Sequence, residues 1–273
     1  MSLSTVLFFF LAHLGVGIAF TLVFVSKDAG VKFFRFNAGL AAILVAFALA
    51  FRIASLEGML PESPLARWAV LALYTAEAML VVYWATVGRV LASIRPAIIG
   101  LAIAAGLAAV TLQGMDVSAA RGAAVQAFTV VSFLTSVALL GGACMAMTLG
   151  HWYLVIPSMQ VSHLQSLVKV HIASTVLRTL VVGAVVWFAI ATWQADSGVP
   201  NFRHYIMSVD GIFFWQRVLF GLAGPAVLSW LTWETAKIRA TQSATGILYV
   251  DFFTVVVGEV LAKYIVLATH VPV

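Results

Sequence analysis

The segment Gly246–His270 carries Asp251, Glu259 and Lys263 in an otherwise apolar run. They lie at i, i+8 and i+12, so a helix places all three on one face. Charged side chains at membrane depth are costly, and they face a bundle interior, a cavity or one another. Glu259 and Lys263 also stand at i, i+4, the better order for an intrahelical pair. Counted from the ends of their apolar runs, His13, Glu77, Arg178 and Glu259 fall near the middle of four runs. One reading is mutual neutralisation, a buried Glu paired with a buried Arg that holds a bundle in register. The other is a proton or substrate path, which four such residues together favour. A carboxyl withdrawn from water holds its proton more tightly and can exchange it near neutral pH. Quinol oxidation releases protons with its electrons, and a carboxylate or imidazole must accept them. His13, Glu77 and Glu259 suit that task, and Arg178 suits the anchoring of a carboxylate or a reduced quinone.

The histidines offer a rival chemistry. His151, His163 and His171 fall close together in the fifth and sixth apolar runs and the loop between them. A b-type haem takes two axial ligands, often imidazoles on facing helices, and His151 with His171 is the better pair by depth. No other ligands converge on them for a zinc site. The sequence has no Walker loop, no GxSxG and no HExxH, so nothing points to hydrolysis or ATP use. One cysteine, Cys144, leaves no disulfide within the chain and no thiolate set for an iron–sulfur cluster. Any such cluster belongs to a partner.

The elements that must position these residues are apolar helices. Of the 273 residues 63% are hydrophobic and 9% charged, with a mean hydropathy of +1.08. A soluble domain carries roughly 25% charged residues. The expectation is an all-α, polytopic transmembrane bundle of about eight spans, one integral membrane domain over residues 1–273. The spans read as Leu3–Ser26, Phe36–Ala54, Trp68–Val87, Ala97–Leu112, Gly122–Leu149, Leu164–Trp193, Gly211–Trp233 and Gly246–His270. The first has no basic leader or cleavage site and reads as a retained helix. Gly224-Pro225 marks a kink in the seventh. Gly141-Gly142 and Gly221 with Gly224 allow close helix approach.

Eight spans put both termini on one side. Lys27, Lys32, Arg35, Arg89, Arg95, Lys169, Lys237 and Arg239 fall at the odd-numbered loops. Arg52, Arg67, Arg121, Arg203 and Arg217 fall at the even-numbered ones. By the positive-inside rule the termini lie outside the cytoplasm. The net charge of +5 then reports topology, not nucleic-acid binding. Trp68, Trp152, Tyr153, Trp193, Trp215 and Trp233 lie near span ends, as interfacial aromatics do.

Several segments, in order, resemble the membrane anchor of DMSO reductase and the wider family of NrfD and polysulfide-reductase membrane subunits. They are Tyr74-Thr75-Ala76-Glu77-Ala78, Phe133-Leu134-Thr135 followed by Gly141-Gly142, Phe214-Trp215-Gln216-Arg217-Val218-Leu219, and Val257-Gly258-Glu259-Val260-Leu261-Ala262-Lys263. Leu56-Glu57-Gly58 stands where the family anchor carries a histidine. The resemblance implies eight spans and a quinol site within the bilayer. It also implies electron transfer to iron–sulfur, molybdenum or cytochrome subunits of a complex in a bacterial cytoplasmic membrane. A haem b-bearing conduit, a proton-coupled transporter using His13, Glu77 and Glu259, and a purely structural anchor are the other readings. Transporters often show inverted repeats with broken helices, and no repeat is visible in this sequence.

Overall fold

The computed structural model describes residues 2–56, 63–156, 159–192 and 202–273. The connection expected between the second and third spans, with Leu56-Glu57-Gly58, falls largely outside them. So do Pro157, Trp193 and the first half of the loop expected at Gln194–Asp210. The described chain is helical throughout, with no strand among the described residues. The helices are α1 (Leu3–Leu22), α2 (Gly30–Leu56), α3 (Pro64–Thr86), α4 (Arg95–Val117), α5 (Ala123–Val155) and α6 (Val161–Thr192). After them come α7 (Phe202–Met207), α8 (Ile212–Val218), α9 (Gly224–Lys237) and α10 (Thr241–Thr269). Among the described residues eight segments are long and apolar enough to cross a membrane, the seventh being the composite Val209–Lys237. This is a multi-pass membrane protein.

Helix ends depart from the expected boundaries where polar residues had been read as loop. Lys27–Ala29 form a single 3₁₀ turn, capped by the Ser26 hydroxyl, which accepts from the Asp28 N–H at 3.3 Å. Gly30 follows at φ 79°, a conformation glycine adopts without steric cost. α2 therefore starts there rather than at Phe36, with Lys32 and Arg35 in its first two turns. Likewise α5 continues past Leu149 to Val155, so Gly150-His151-Trp152-Tyr153 is helical. Charged and aromatic residues at a membrane surface fit a helix as well as a loop. α3 starts at Pro64 rather than at Trp68: Pro64 occupies the first turn and Ser63 accepts from the Ala66 N–H at 3.0 Å.

α1 and α5 are the central helices: 78% and 72% of their apolar windows are buried, against 28% for α3 and α6. α1 packs on α2 and α5, while α5 meets α6 and α10. α3 and α4 pair at the periphery, and α9 lies along α10. Between membrane helices no hydrophobic force acts, so close packing must do the work and small residues line the seams. Two crossings are tight enough to require glycine. At the first, a Cβ on Gly141 would stand 2.1 Å from the Gly17 carbonyl oxygen. At the second, a Cβ on Gly258 would stand 2.1 Å from the Gly221 Cα. The Gly224-Pro225 kink takes the form of a π-helical turn, Leu219–Ala223, between α8 and α9. There the Gly224 N–H reaches back to the Leu219 carbonyl.

Gly141→Val should destabilise the bundle by about 1–3 kcal/mol or more, because backbone on both sides cannot yield. Gly183→Val, where an added Cβ meets nothing within 4 Å, should be near neutral. Thermal unfolding of the two variants in detergent measures the contrast.

Candidate functional site

The three charged residues of α10 are all buried. Glu259 is the centre. Its Oε1 accepts from Arg178 Nε at 3.0 Å and from Arg217 Nη2 at 2.8 Å. Its Oε2 accepts from the Ser136 hydroxyl at 2.5 Å and from Arg178 Nη2 at 3.3 Å, with Lys263 Nζ 3.6 Å away. Lys263 donates to Ser136 Oγ at 2.8 Å and lies 4.9 Å from the Phe133 ring centroid. Arg178 Nη1 donates to Ser132 Oγ at 2.6 Å and to its carbonyl at 3.0 Å, and Nη2 donates to the Val273 backbone oxygen at 3.3 Å. Three formal cations thus surround one carboxylate, all of them almost fully buried. Backbone and serine oxygens carry part of the surplus positive charge. Arg217 Nε and Nη1 have no hydrogen-bond partner.

The line extends from Ser136 into α1 and α4. His13 Nδ1 is 3.4 Å from Ser136 Oγ, and His13 Nε2 is 3.3 Å from Gln113 Oε1. The Ser136 proton goes to Glu259, so Nδ1 must be the donor toward Ser136. Nε2 then meets an acceptor oxygen. A Gln113 amide turned so that its Nε2, which has no partner as placed, donates to the ring satisfies both groups with a neutral His13.

A second buried pair lies nearer the N-terminal end of α10. His171 Nε2 and Asp251 Oδ2 are 2.6 Å apart, and both side chains are fully buried. Asp251 precedes Glu259 by two helical turns, about 12 Å along the axis. His171 Nδ1 and Asp251 Oδ1 have no partners.

Of the four mid-span residues, the structure brings His13, Arg178 and Glu259 together. Glu77 stands apart on α3, half-buried, with its Oε2 enclosed and unpartnered. The three histidines of the fifth and sixth spans do not converge. His151 is exposed and 2.9 Å from the Tyr249 hydroxyl, while His163 is 2.9 Å from Asp28. His151 lies four residues from the end of α5 and His171 ten residues into α6, so they differ in depth by roughly 9 Å. His171 has Nε2 on Asp251, and its Nδ1 faces α5, where a Cβ on Gly142 would come within 3.5 Å. These two imidazoles do not fit the axial positions of one haem. Among the described residues no group of three or more His, Cys, Asp or Glu is arranged to hold a metal ion.

Sequence reasoning missed Arg217, Ser132, Ser136 and Gln113, and the partnership of His171 with Asp251. Arg217 had been counted as an interfacial cation. Its signal was the pair of glycines beside it: a Cβ on Gly221 would stand 1.9 Å from Arg217 Nη1. Ser132 and Ser136, one turn apart on α5, mark a polar stripe at i, i+4.

No protein-family model matches the chain, and a search of curated proteins gives no significant match.

Glu259→Ala would leave three buried cations without their carboxylate. A loss of about 3–5 kcal/mol is expected, read as a lower unfolding temperature in detergent. Lys263→Met removes one of the surplus cations and should cost clearly less in the same measurement.

Proposed function

We propose that this chain is the membrane-anchor subunit of a respiratory oxidoreductase complex in a bacterial cytoplasmic membrane, with both termini outside the cytoplasm. In this reading it exchanges electrons and protons with quinone or quinol in the bilayer. It passes electrons to a partner subunit that carries iron–sulfur, molybdenum or cytochrome centres. The observation that carries the reading is the buried line from Glu259 through Ser136 to His13 and Gln113. It joins four membrane-crossing helices.

Bound quinol supplies electrons paired with protons. Glu77 is the group suited to meet it: its carboxyl lies on a half-buried helix face, and a carboxylate accepts a hydrogen bond from a phenolic hydroxyl. Arg178, Arg217 and Lys263 fix the Glu259 carboxylate, while Ser136 relays its contact to His13. The resemblance of the Glu77 and Gly258-Glu259 segments to the NrfD-type anchors points the same way.

A proton-coupled transporter is the second reading, favoured by the broken seventh span beside Glu259. Transporters build sites from discontinuous helices, and Gly221 in the π turn touches Gly258.

Glu77→Gln in the assembled complex should lower quinol-linked turnover on the order of 100-fold, the scale of a lost proton acceptor, with the complex intact. Normal turnover in that variant removes Glu77 from the mechanism. Proton flux into vesicles holding the chain without partners would instead support the transporter.

A further inference from the structure

The basic end of α2 lies beside the end of α3 and borders a lipid-facing groove of about 420 Å³. Lys32 and Arg35 stand at its mouth. Below them Phe36, Gly39, Leu40 and Ile43 form one wall and Trp84 the other. We propose that this groove binds one anionic glycerophospholipid, its phosphate between Lys32 and Arg35 and an acyl chain along Phe36, Gly39, Leu40 and Ile43.

Charge selects the headgroup. Among the described residues lining the groove, both titratable ones are cations and none is acidic. Arg35 is pre-set: Nη2 donates to the Val87 carbonyl at 2.6 Å, which ties the guanidinium to the end of α3. The guanidinium keeps its positive charge at the groove, where a phosphate oxygen can meet it. Shape selects the tail. From Phe36 to Ile43 the wall runs about 10 Å down the helix axis, longer than a free phosphate uses. Phe36, Ile43 and Trp84 are exposed there, as acyl-facing residues are. Gly39 deepens the floor, since a Cβ on it would stand 2.9 Å from Trp84 Nε1. An adjoining cleft of about 350 Å³ carries Lys27 and Arg95, which extends the positive field around the headgroup. Clusters of basic residues at a membrane surface attract anionic lipid at close range.

The test uses the full chain purified in mild detergent. It is offered phosphatidylglycerol, phosphatidylcholine or inorganic phosphate, with retained adducts read by native mass spectrometry and stability by thermal shift. Wild type should retain phosphatidylglycerol over phosphatidylcholine and unfold at higher temperature with it. K32Q/R35Q should bind it about 30-fold more weakly, on the order of five-fold for each cation removed. R239Q, an exposed cation elsewhere on the same face, should keep the preference. Equal retention of both lipids by wild type overturns the proposal. So does an unchanged preference in K32Q/R35Q, or stabilisation by inorganic phosphate equal to that by the lipid. If the double variant does not fold, K32Q alone and the wild-type lipid preference still decide.

Discussion

A carboxylate with no water around it must be met by opposite charge, and Glu259 sets that condition for the whole bundle. Arg178 on α6, Arg217 on α8 and Lys263 on α10 all converge on it. Ser136 brings in α5, and through it His13 on α1 and Gln113 on α4. Removing one partner of a buried ion pair is far more costly than never having the pair, so these helices are tied to one another by the centre. The two glycine crossings adjoin it. Gly258 precedes Glu259, and Gly17 lies one turn from His13 and meets Gly141, itself five residues after Ser136. The helices must approach closely for side chains of ordinary length to reach one carboxylate, and glycine is what permits the approach.

The architecture was legible because apolar helices of spanning length are a strong signal. The shared face of Asp251, Glu259 and Lys263 was also legible, since spacing on one helix is fixed by 3.6 residues per turn. What could not be read is which residues meet across helices. Depth along a span says nothing of direction around it, so Glu77 and Glu259 looked equivalent by count. Only Glu259 turns inward to a partner. Arg217 was misjudged for the converse reason: its place near the edge of an apolar run suggested the interface, while α8 carries it into the centre. His151 and His171 looked like a pair because residue counts give only an approximate depth: His151 lies four residues from the end of α5 and His171 ten residues into α6.

α10 stations its polar groups at two depths, Asp251 with His171 and Glu259 with the cations. Thr254 lies between the two depths, its hydroxyl turned back on the Asp251 carbonyl. The described contacts give no hydrogen-bonded link from Asp251 or His171 to the Glu259 centre. The two buried sites are therefore not joined by hydrogen bonds, though both ride on one helix. Any change that tilts α10 acts on both at once.

The π turn at Leu219–Ala223 has a consequence for how the seventh span tolerates change in length. A π turn holds one residue more than the α-helical turn it replaces. Removing one of its residues lets that turn close as plain α-helix with both flanks still in phase, so Arg217 keeps facing Glu259 and α9 keeps packing on α10. The same deletion made elsewhere in the span has no spare residue to absorb it, and rotates one side by about 100° relative to the other. The turn is therefore the one stretch of this span where a residue can be lost while both faces stay on α10.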